Sequence, residues 1–529
     1  MPDHPEPGAA LDWRALWASG DLARFIFISL GIMLHATNET MVATIMPAMV
    51  ADISGVQFVG WTLAIYELGS ITAGAAAGRM ISYLPLRSNM AGAAFLYAAG
   101  ALLCALSPGM GWLLVGRLIQ GLGGGALVAL AFVSVERLFP RLFWPQLFAI
   151  ISVVWGAAAF SGPLIGALVA DAWSWRWSFG LFAGGGLAMA AISFIVLSAP
   201  GATQTRGEVA PPFPAVALAC LALSVMLIAY AGVTLETVRS GLLLAAGLAG
   251  LALFFWIDAM RPASRLFPAR LFDARTTLGA GMIMVFAFSA ATIAFTVYGP
   301  LLLTRLHGVS PLTAGYIIAA EAISWSVLSI LVANAPPRHE RAIIAAGAVM
   351  ITAGMVGFAW TVPSGSIPLV LACALLQGGG FGIAWPFITR LIVASAAPSE
   401  TTITSSAIPT LQRIGYALGA AIAGIIANAS GFSGGISTQT AAGVATWLFL
   451  AFIPLGAIGL AAGIVIARDA GRRQGPALEG GAWRGPAKKP ADSGLGKHVQ
   501  GPPRNRSEND NGRDASAPAC HTLIANKSR

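Results

Sequence analysis

From residue 25 to residue 467 the chain alternates long apolar runs with short polar breaks. Crossing a hydrocarbon core of about 30 Å takes about 20 residues of helix at 1.5 Å each. Fourteen runs meet that length: 25–47, 58–80, 89–107, 111–134, 147–170, 177–198, 213–233, 240–258, 279–304, 311–333, 342–362, 367–390, 404–428 and 440–467. They are numbered here as helices 1 to 14. The first run passes straight into a long helix rather than a small-residue cleavage site, so no cleavable signal peptide is expected.

The breaks divide into two alternating sets. One set, with the two ends, carries Arg14, Arg24, Arg79, Arg87, Arg137, Arg141, Arg206, Arg261, Arg265, Arg270, Arg275, Arg338, Arg341, Arg390, Arg468, Arg472 and Arg473. The other carries Arg176, Arg239 and Arg305. Basic loops stay in the cytoplasm, so both termini are expected there. A miscount of one helix would scramble the asymmetry.

Composition agrees: 57% of the residues are hydrophobic and 10% charged, against about 25% charged in soluble domains, and the mean hydropathy is +0.76. This is a polytopic membrane protein, not a soluble one. Its net charge of +9 does not point to nucleic acid. Residues 468–529 hold 12 Lys/Arg against 6 Asp/Glu, so the excess sits mainly in a Gly-, Pro- and Ser-rich segment that reads as a disordered basic cytoplasmic tail. Such a tail suits anionic headgroups, or is a dispensable extension. Cys104, Cys220, Cys373 and Cys520 are scattered singly, which indicates neither a disulfide framework nor a metal cluster.

An internal repeat is visible. Helix 4 carries Arg117, Gln120, Gly121, Gly123, Gly124 and Gly125, and helix 12 carries Gln377-Gly378-Gly379-Gly380-Phe381-Gly382. The two glutamine-glycine starts lie 257 residues apart, and Glu67 of helix 2 lies 254 from Glu321 of helix 10. Near-constant offsets predict two parallel six-helix bundles with helices 7 and 8 inserted, one of the known transporter plans. The expected divisions are an N-terminal segment 1–24, a bundle 25–198, the inserted pair with its loops 199–278, a second bundle 279–467 and the tail 468–529.

These residues resemble the major facilitator superfamily, specifically its fourteen-helix drug:proton antiporter branch, over about residues 22 to 467. Helix 4 is similar to the branch's arginine-glutamine-glycine motif. Helix 5 is similar to its antiporter motif at Gly156, Gly162, Pro163 and Gly166, with Ala167 where a second glycine is usual. Trp175-Arg176-Trp177 with Phe179, and Gly308 to Gly315 at the start of helix 10, complete the likeness. The resemblance implies a major facilitator fold, proton-coupled export of small molecules, and a helix 5 that seals against the other half. Two positions depart from the pattern. The loop after helix 2 has Ser82, Pro85 and Leu86 where an aspartate, a glycine and a basic pair are usual, keeping Arg87 alone. In helix 1, Asn38 stands where the branch has an aspartate, with Glu39 beside it, and an amide does not titrate.

Ionisable groups inside a membrane cost at least ~2.5 kcal/mol at a helix centre and face cavities or partners. Glu39, Glu67 and Glu321 lie 8, 9 and 10 residues from the expected outer ends of their helices, about 12–15 Å deep. Arg117 lies about 9 Å deep by the same count. In a low-dielectric cavity burial disfavours a carboxylate's charge, while an arginine or a cationic cargo favours it. Glu39, Glu67, Glu321, Arg117 and His35 are therefore the candidate proton-coupling residues. For Glu67 the other reading is a static pair or hydrogen bond; Glu321 is open between substrate contact and structural pairing, and Arg117 between a structural or coupling role and direct ligand contact. His35, one turn from Glu39, either forms a local relay with it or hydrogen-bonds a backbone carbonyl. Arg413 of helix 13 is a candidate counter-ion.

Asn38, Gln120, Trp155, Phe160, Trp325, Gln377 and Trp385 are the candidate cargo-contacting residues, because aromatic faces suit flat lipophilic cations. Core or lipid-facing roles remain open for each. The leading expectation is a proton-coupled multidrug-type antiporter of the plasma (inner) membrane, monomeric and without cofactor. Alternatives are a dedicated exporter of a lipid, siderophore or secondary metabolite, a transport-inactive receptor, and a membrane enzyme. No extended loop clusters the His, Asp and Glu that an enzyme would use, and no phosphate-binding loop is present.

Overall fold

The computed structural model describes residues 21–139, 143–197, 212–234, 236–333, 335–434 and 437–474. Among them, fourteen membrane-length helices and no strands are found. They are α1 (Asp21–Ile53), α2 (Val59–Tyr83), α3 (Leu86–Ala105), α4 (Met110–Leu138), α5 (Trp144–Ala172), α6 (Trp175–Val196), α7 (Ala215–Thr234), α8 (Thr237–Met260), α9 (Thr277–His307), α10 (Pro311–Val332), α11 (Glu340–Ser364), α12 (Ile367–Ala394), α13 (Thr401–Ala429) and α14 (Thr438–Gln474). Thirteen are long and apolar enough to span a bilayer. The fourteenth, α2, carries Glu67.

Each predicted run is a helix, with ends shifted by up to seven residues. The largest shift is at α14, which continues past residue 467 to Gln474, so the segment expected to be disordered from 468 begins as helix. Residues 475–529 and 1–20 lie outside the described residues, as does most of the 199–212 loop. Polar caps set several starts: the Thr276 hydroxyl accepts from Gly279 N at 3.0 Å and the Ser310 hydroxyl from Thr313 N at 3.1 Å. Gly308 ends α9 in the left-handed region at φ 64°, which glycine adopts without strain.

The helix contacts repeat across the chain. In the first half α2 packs on α4, α3 on α4 and α6, and α1 on α5. In the second, α10 packs on α12, α11 on α12 and α14, and α9 on α13. The halves meet through α2 against α13 and α10 against α5, which exchange under the same two-fold relation. The inserted pair forms a hairpin: α7 packs on α8 and α13, and more lightly on α2.

Glycine sets the close approaches, as in membrane helices generally. A Cβ on Gly60 would collide with the backbone of Ala420 in α13, and one on Gly315 of α10 with Thr44 of α1 and Pro163 of α5. Both positions lie toward the arginine-poor face. Toward the other face the partners differ: Gly74 of α2 has nothing within 4 Å, and Thr402, Ser405, Ser406 and Pro409 of α13 are exposed. These four fall with Gln412, Arg413 and Tyr416 on one helical stripe. Hydroxyl groups and an arginine on one face mark a cavity rather than lipid.

Candidate functional site

His35, Asn38 and Glu39 share one face of α1 at helical spacing. Across from them α2 presents Tyr66 and Glu67, α4 presents Arg117 and Gln120, and α13 presents Arg413. Tyr66 Oη lies 2.7 Å from His35 Nδ1, and His35 Nε2 lies 3.1 Å from both Arg413 Nη2 and Glu39 Oε1. Arg413 Nη1 donates to Glu67 Oε2 at 2.9 Å and lies 3.8 Å from Glu39 Oε1. One guanidinium from the second half thus serves two carboxylates and an imidazole of the first. Glu67 is 2% exposed. Of the two expectations for His35, a backbone hydrogen bond and a local relay, the geometry has side-chain partners on both ring nitrogens.

Arg117 is wholly buried. Its Nη1 donates to Asn38 Oδ1 and Gln120 Oε1, each at 2.6 Å, and its Nε to the Thr62 carbonyl at 3.2 Å. The guanidinium lies 4.0 Å over the Tyr66 ring. Among the described residues no carboxylate comes within 4.0 Å of it. Neutral amides and a ring face hold the charge that a carboxylate would otherwise balance.

Glu321 is apart from this cluster. It accepts from Gln377 Nε2 at 2.8 Å, and among the described residues no basic group lies within 4.0 Å. One turn along α10 from Glu321, Trp325 stacks on Phe381 at 4.8 Å and 4° and lies 5.5 Å from Trp385. Trp155 meets His35 edge-on at 5.9 Å, joining the first cluster. Phe160 lies 5.4 Å from Tyr316 and is 52% exposed. Two small voids, each about 10 Å³, lie in the second half beside Gln377 and Trp385. Both fall below the usual size of a ligand pocket.

The repeat acquires a register from its glycines. A Cβ on Gly121 of α4 would strike the Tyr66 backbone, and one on Gly378 of α12 would strike the Glu321 backbone. Gly125 meets Ser70 and Gly382 meets Trp325 in the same way. The packing counterpart of Glu321 is therefore Tyr66, not Glu67 as the 254-residue offset suggested. One residue on a helix is about 100°. That turn sends Glu67 across the interface to α13 and leaves Glu321 on its own half's Gln377. Along the helical stripe that runs from Glu67 through Ser70 and Gly74, the small residues do not form one tight contact face. Ser70 packs on Gly125, whereas Gly74 is open.

On α5 the glycine-proline motif divides its contacts. Gly162 and Gly166 abut Thr37, Thr40, Met41 and Ile45 of α1, while Gly156 faces Ser326 and Pro163 faces Gly315 on α10. The Trp175-Arg176 pair is a tether. Asp52, at the end of α1, accepts from Trp175 Nε1 at 3.0 Å and pairs with Arg176, whose Nη2 reaches the Ser107 carbonyl at 3.1 Å. Tyr66 escaped the sequence reading, although its place beside Glu67 and opposite the glycine motif of α4 was a usable signal.

The Major Facilitator Superfamily model matches residues 28–420. The chain belongs to the Major Facilitator Superfamily. It is 31% identical over 464 residues to a probable multidrug-efflux transporter of Mycobacterium tuberculosis, covering 85% of this chain and 95% of that one. It is 25% identical over 407 residues to the multidrug transporter protein MdtP of Bacillus subtilis, covering 76% and 74%. Among solved structures, a peptide transporter aligns with a TM-score of 0.60 at 17% identity, over 88% of this chain and 99% of that one. Superfamily membership makes the chain a transporter of small molecules, not an enzyme. For this transporter, Gly378→Ala should be among the most damaging single-methyl changes, because backbone cannot move aside as a side chain can. Overpacking of this kind costs about 1–3 kcal/mol. Thermal unfolding in detergent should fall by several degrees, whereas Gly74→Ala should leave it unchanged.

Proposed function

We propose that this chain is a proton-coupled exporter of lipophilic organic cations, working by alternating access in the plasma membrane with both termini in the cytoplasm. The observation that carries this reading is Arg413, which binds Glu67, Glu39 and His35 across the two halves. A proton arriving on Glu67 removes its attraction for Arg413 and weakens the grip between α2 and α13. Loss of the proton restores it. The energy of a gradient can act at this joint, since one charge moved across 100 mV is worth about 2.3 kcal/mol.

The cation enters the scheme through charge. With Glu39 and Glu67 both beside Arg413, Glu321 is the membrane-depth glutamate that has no basic group within 4.0 Å among the described residues, one helical turn from Trp325 and its partners Phe381 and Trp385. A flat cation meets both needs there. The α13 stripe from Thr402 to Arg413 supports an aqueous approach from the arginine-rich face. The relatives named for multidrug efflux favour drug-like organic cargo, and the positive charge is inferred from Glu321 alone.

The test uses purified protein in liposomes with an imposed pH gradient and a fluorescent lipophilic cation. Wild type should move the cation against its gradient and stop when an ionophore collapses the pH difference. Glu67→Gln should slow gradient-driven movement at least about tenfold, equivalent to about 1.4 kcal/mol of barrier. Cation movement indifferent to the pH gradient in wild type would refute the coupling.

A further inference from the structure

The inserted hairpin α7–α8 grips α13 at both ends, and we infer that it is a brace that travels with the second half and latches onto the first half only when the arginine-poor face is closed. The inference rests on the transport reading for the existence of a cycle, and on contacts of its own for the assignment.

At the arginine-poor end, Gly232 of α7 fits against Ile425 of α13, where a Cβ would come within 2.7 Å of the Ile425 Cα. The side chain of Asn428, near the end of α13, donates to the Gly232 carbonyl at 3.0 Å and to the Gln57 carbonyl of the α1–α2 turn at 2.9 Å. Asn428 is 1% exposed. Beside it Tyr230 of α7 meets Trp61 of α2 edge-on at 6.3 Å. This end therefore joins three parties: the hairpin, the second half and the first half.

At the arginine-rich end the connector from α8 to α9 is folded rather than slack. Asp258 accepts from the backbone N–H groups of Leu266 and Phe267 at 2.8 and 3.2 Å. Phe267, buried, packs on Phe254 and Phe255 at 6.1 and 5.8 Å, and Phe272 on Phe255 at 5.0 Å. The ordered connector presents Arg265, whose Nη2 donates to Glu400 Oε1 at 2.9 Å, while Ala269 N reaches the same oxygen at 3.4 Å. Glu400 immediately precedes α13. Here the hairpin is held to the second half.

Arg413 sits between the two grips, about 20 Å from each by helix rise. A brace fixed at both ends of α13 keeps that helix straight and sets the height of Arg413 opposite Glu67. Opening the arginine-poor face must part the α1–α2 turn and the start of α2 from α13 and α7, because Asn428 and the Trp61–Tyr230 contact join them there. Asn428–Gly232 and Arg265–Glu400 then persist, while Asn428–Gln57 and Trp61–Tyr230 break. The hairpin thus acts mechanically, stiffening the helix that carries the counter-ion, and its α7 end doubles as a latch.

Two reducible cross-links test this, each in full-length protein with Cys104, Cys220, Cys373 and Cys520 replaced by alanine and efflux verified beforehand. A short bis-thiosulfonate would join Arg265→Cys to Glu400→Cys in one variant and Trp61→Cys to Tyr230→Cys in the other. Mass measurement of the intact protein gives the linked fraction. The brace predicts that the 265–400 link leaves cation efflux within about twofold of the same protein after reduction. It predicts that the 61–230 link stops efflux in proportion to the linked fraction, with recovery on reduction. Arrest by the 265–400 link would overturn the assignment to the second half. Undiminished efflux with the 61–230 link would overturn the latch. Failure of the proton-cation reading would show instead as absent gradient-driven efflux before any link is made.

Discussion

Arg413→Gln should abolish gradient-driven transport and destabilise the protein by about 3–5 kcal/mol, the usual cost of removing one partner from a buried ion pair. The reason lies in what remains. Glu67 is 2% exposed, and its carboxylate loses the guanidinium 2.9 Å away; Glu39 and His35 lose the same neighbour. A carboxylate stranded at membrane depth can recover only by taking up a proton and keeping it. The double variant Glu67→Gln/Arg413→Gln separates the two effects. It removes both charges, so its unfolding temperature in detergent should return close to wild type. Its transport should stay uncoupled, with no proton released when cation is added. Were Arg413→Gln to unfold at the wild-type temperature and still respond to a pH gradient, the pair would be an ornament of the interface.

Much of this was written in the sequence, and the parts that were not have physical causes. Fourteen apolar runs specify fourteen helices because backbone in lipid must satisfy itself within each span. The glycine-rich stretches of α4 and α12 announce the repeat, since only glycine admits the backbones of Tyr66 and Glu321 so closely. The acidic residues could be placed by depth. Their azimuth could not, because a one-residue error in register is about 100° of rotation, and on that rotation rests the different company of Glu67 and Glu321. Arg413 could be nominated as a counter-ion but not assigned, as its partners lie 346 and 378 residues away along the chain. Asn428 and Asp52 carried no local signal. An asparagine near a helix end and an aspartate before a turn are ordinary residues until the third helix arrives to meet them.

Glu321→Gln should behave in the opposite way to Arg413→Gln. Glu321 has Gln377 as its hydrogen-bonded partner and, among the described residues, no basic group within 4.0 Å. Neutralising it strands no countercharge, and a glutamine can still pair with the Gln377 side chain after its amide rotates. The unfolding temperature should hold or rise. What should fall is affinity for a charged cargo. Two unit charges about 4 Å apart attract by about 4 kcal/mol at an effective dielectric of 20, most of it offset by desolvation, so a loss of about 1.4–2.8 kcal/mol is the reasonable expectation. That is about tenfold to hundredfold in Kd. A neutral analogue of the same shape keeps its stacking on Trp325 and Trp385 and should bind both proteins alike. Competition binding with a matched cationic and neutral pair therefore reads charge recognition apart from ring contact. Equal weakening of both analogues would mean that Glu321 shapes the site rather than attracting the charge. An unfolding temperature reduced as far as that of Arg413→Gln would mean that it is structural after all.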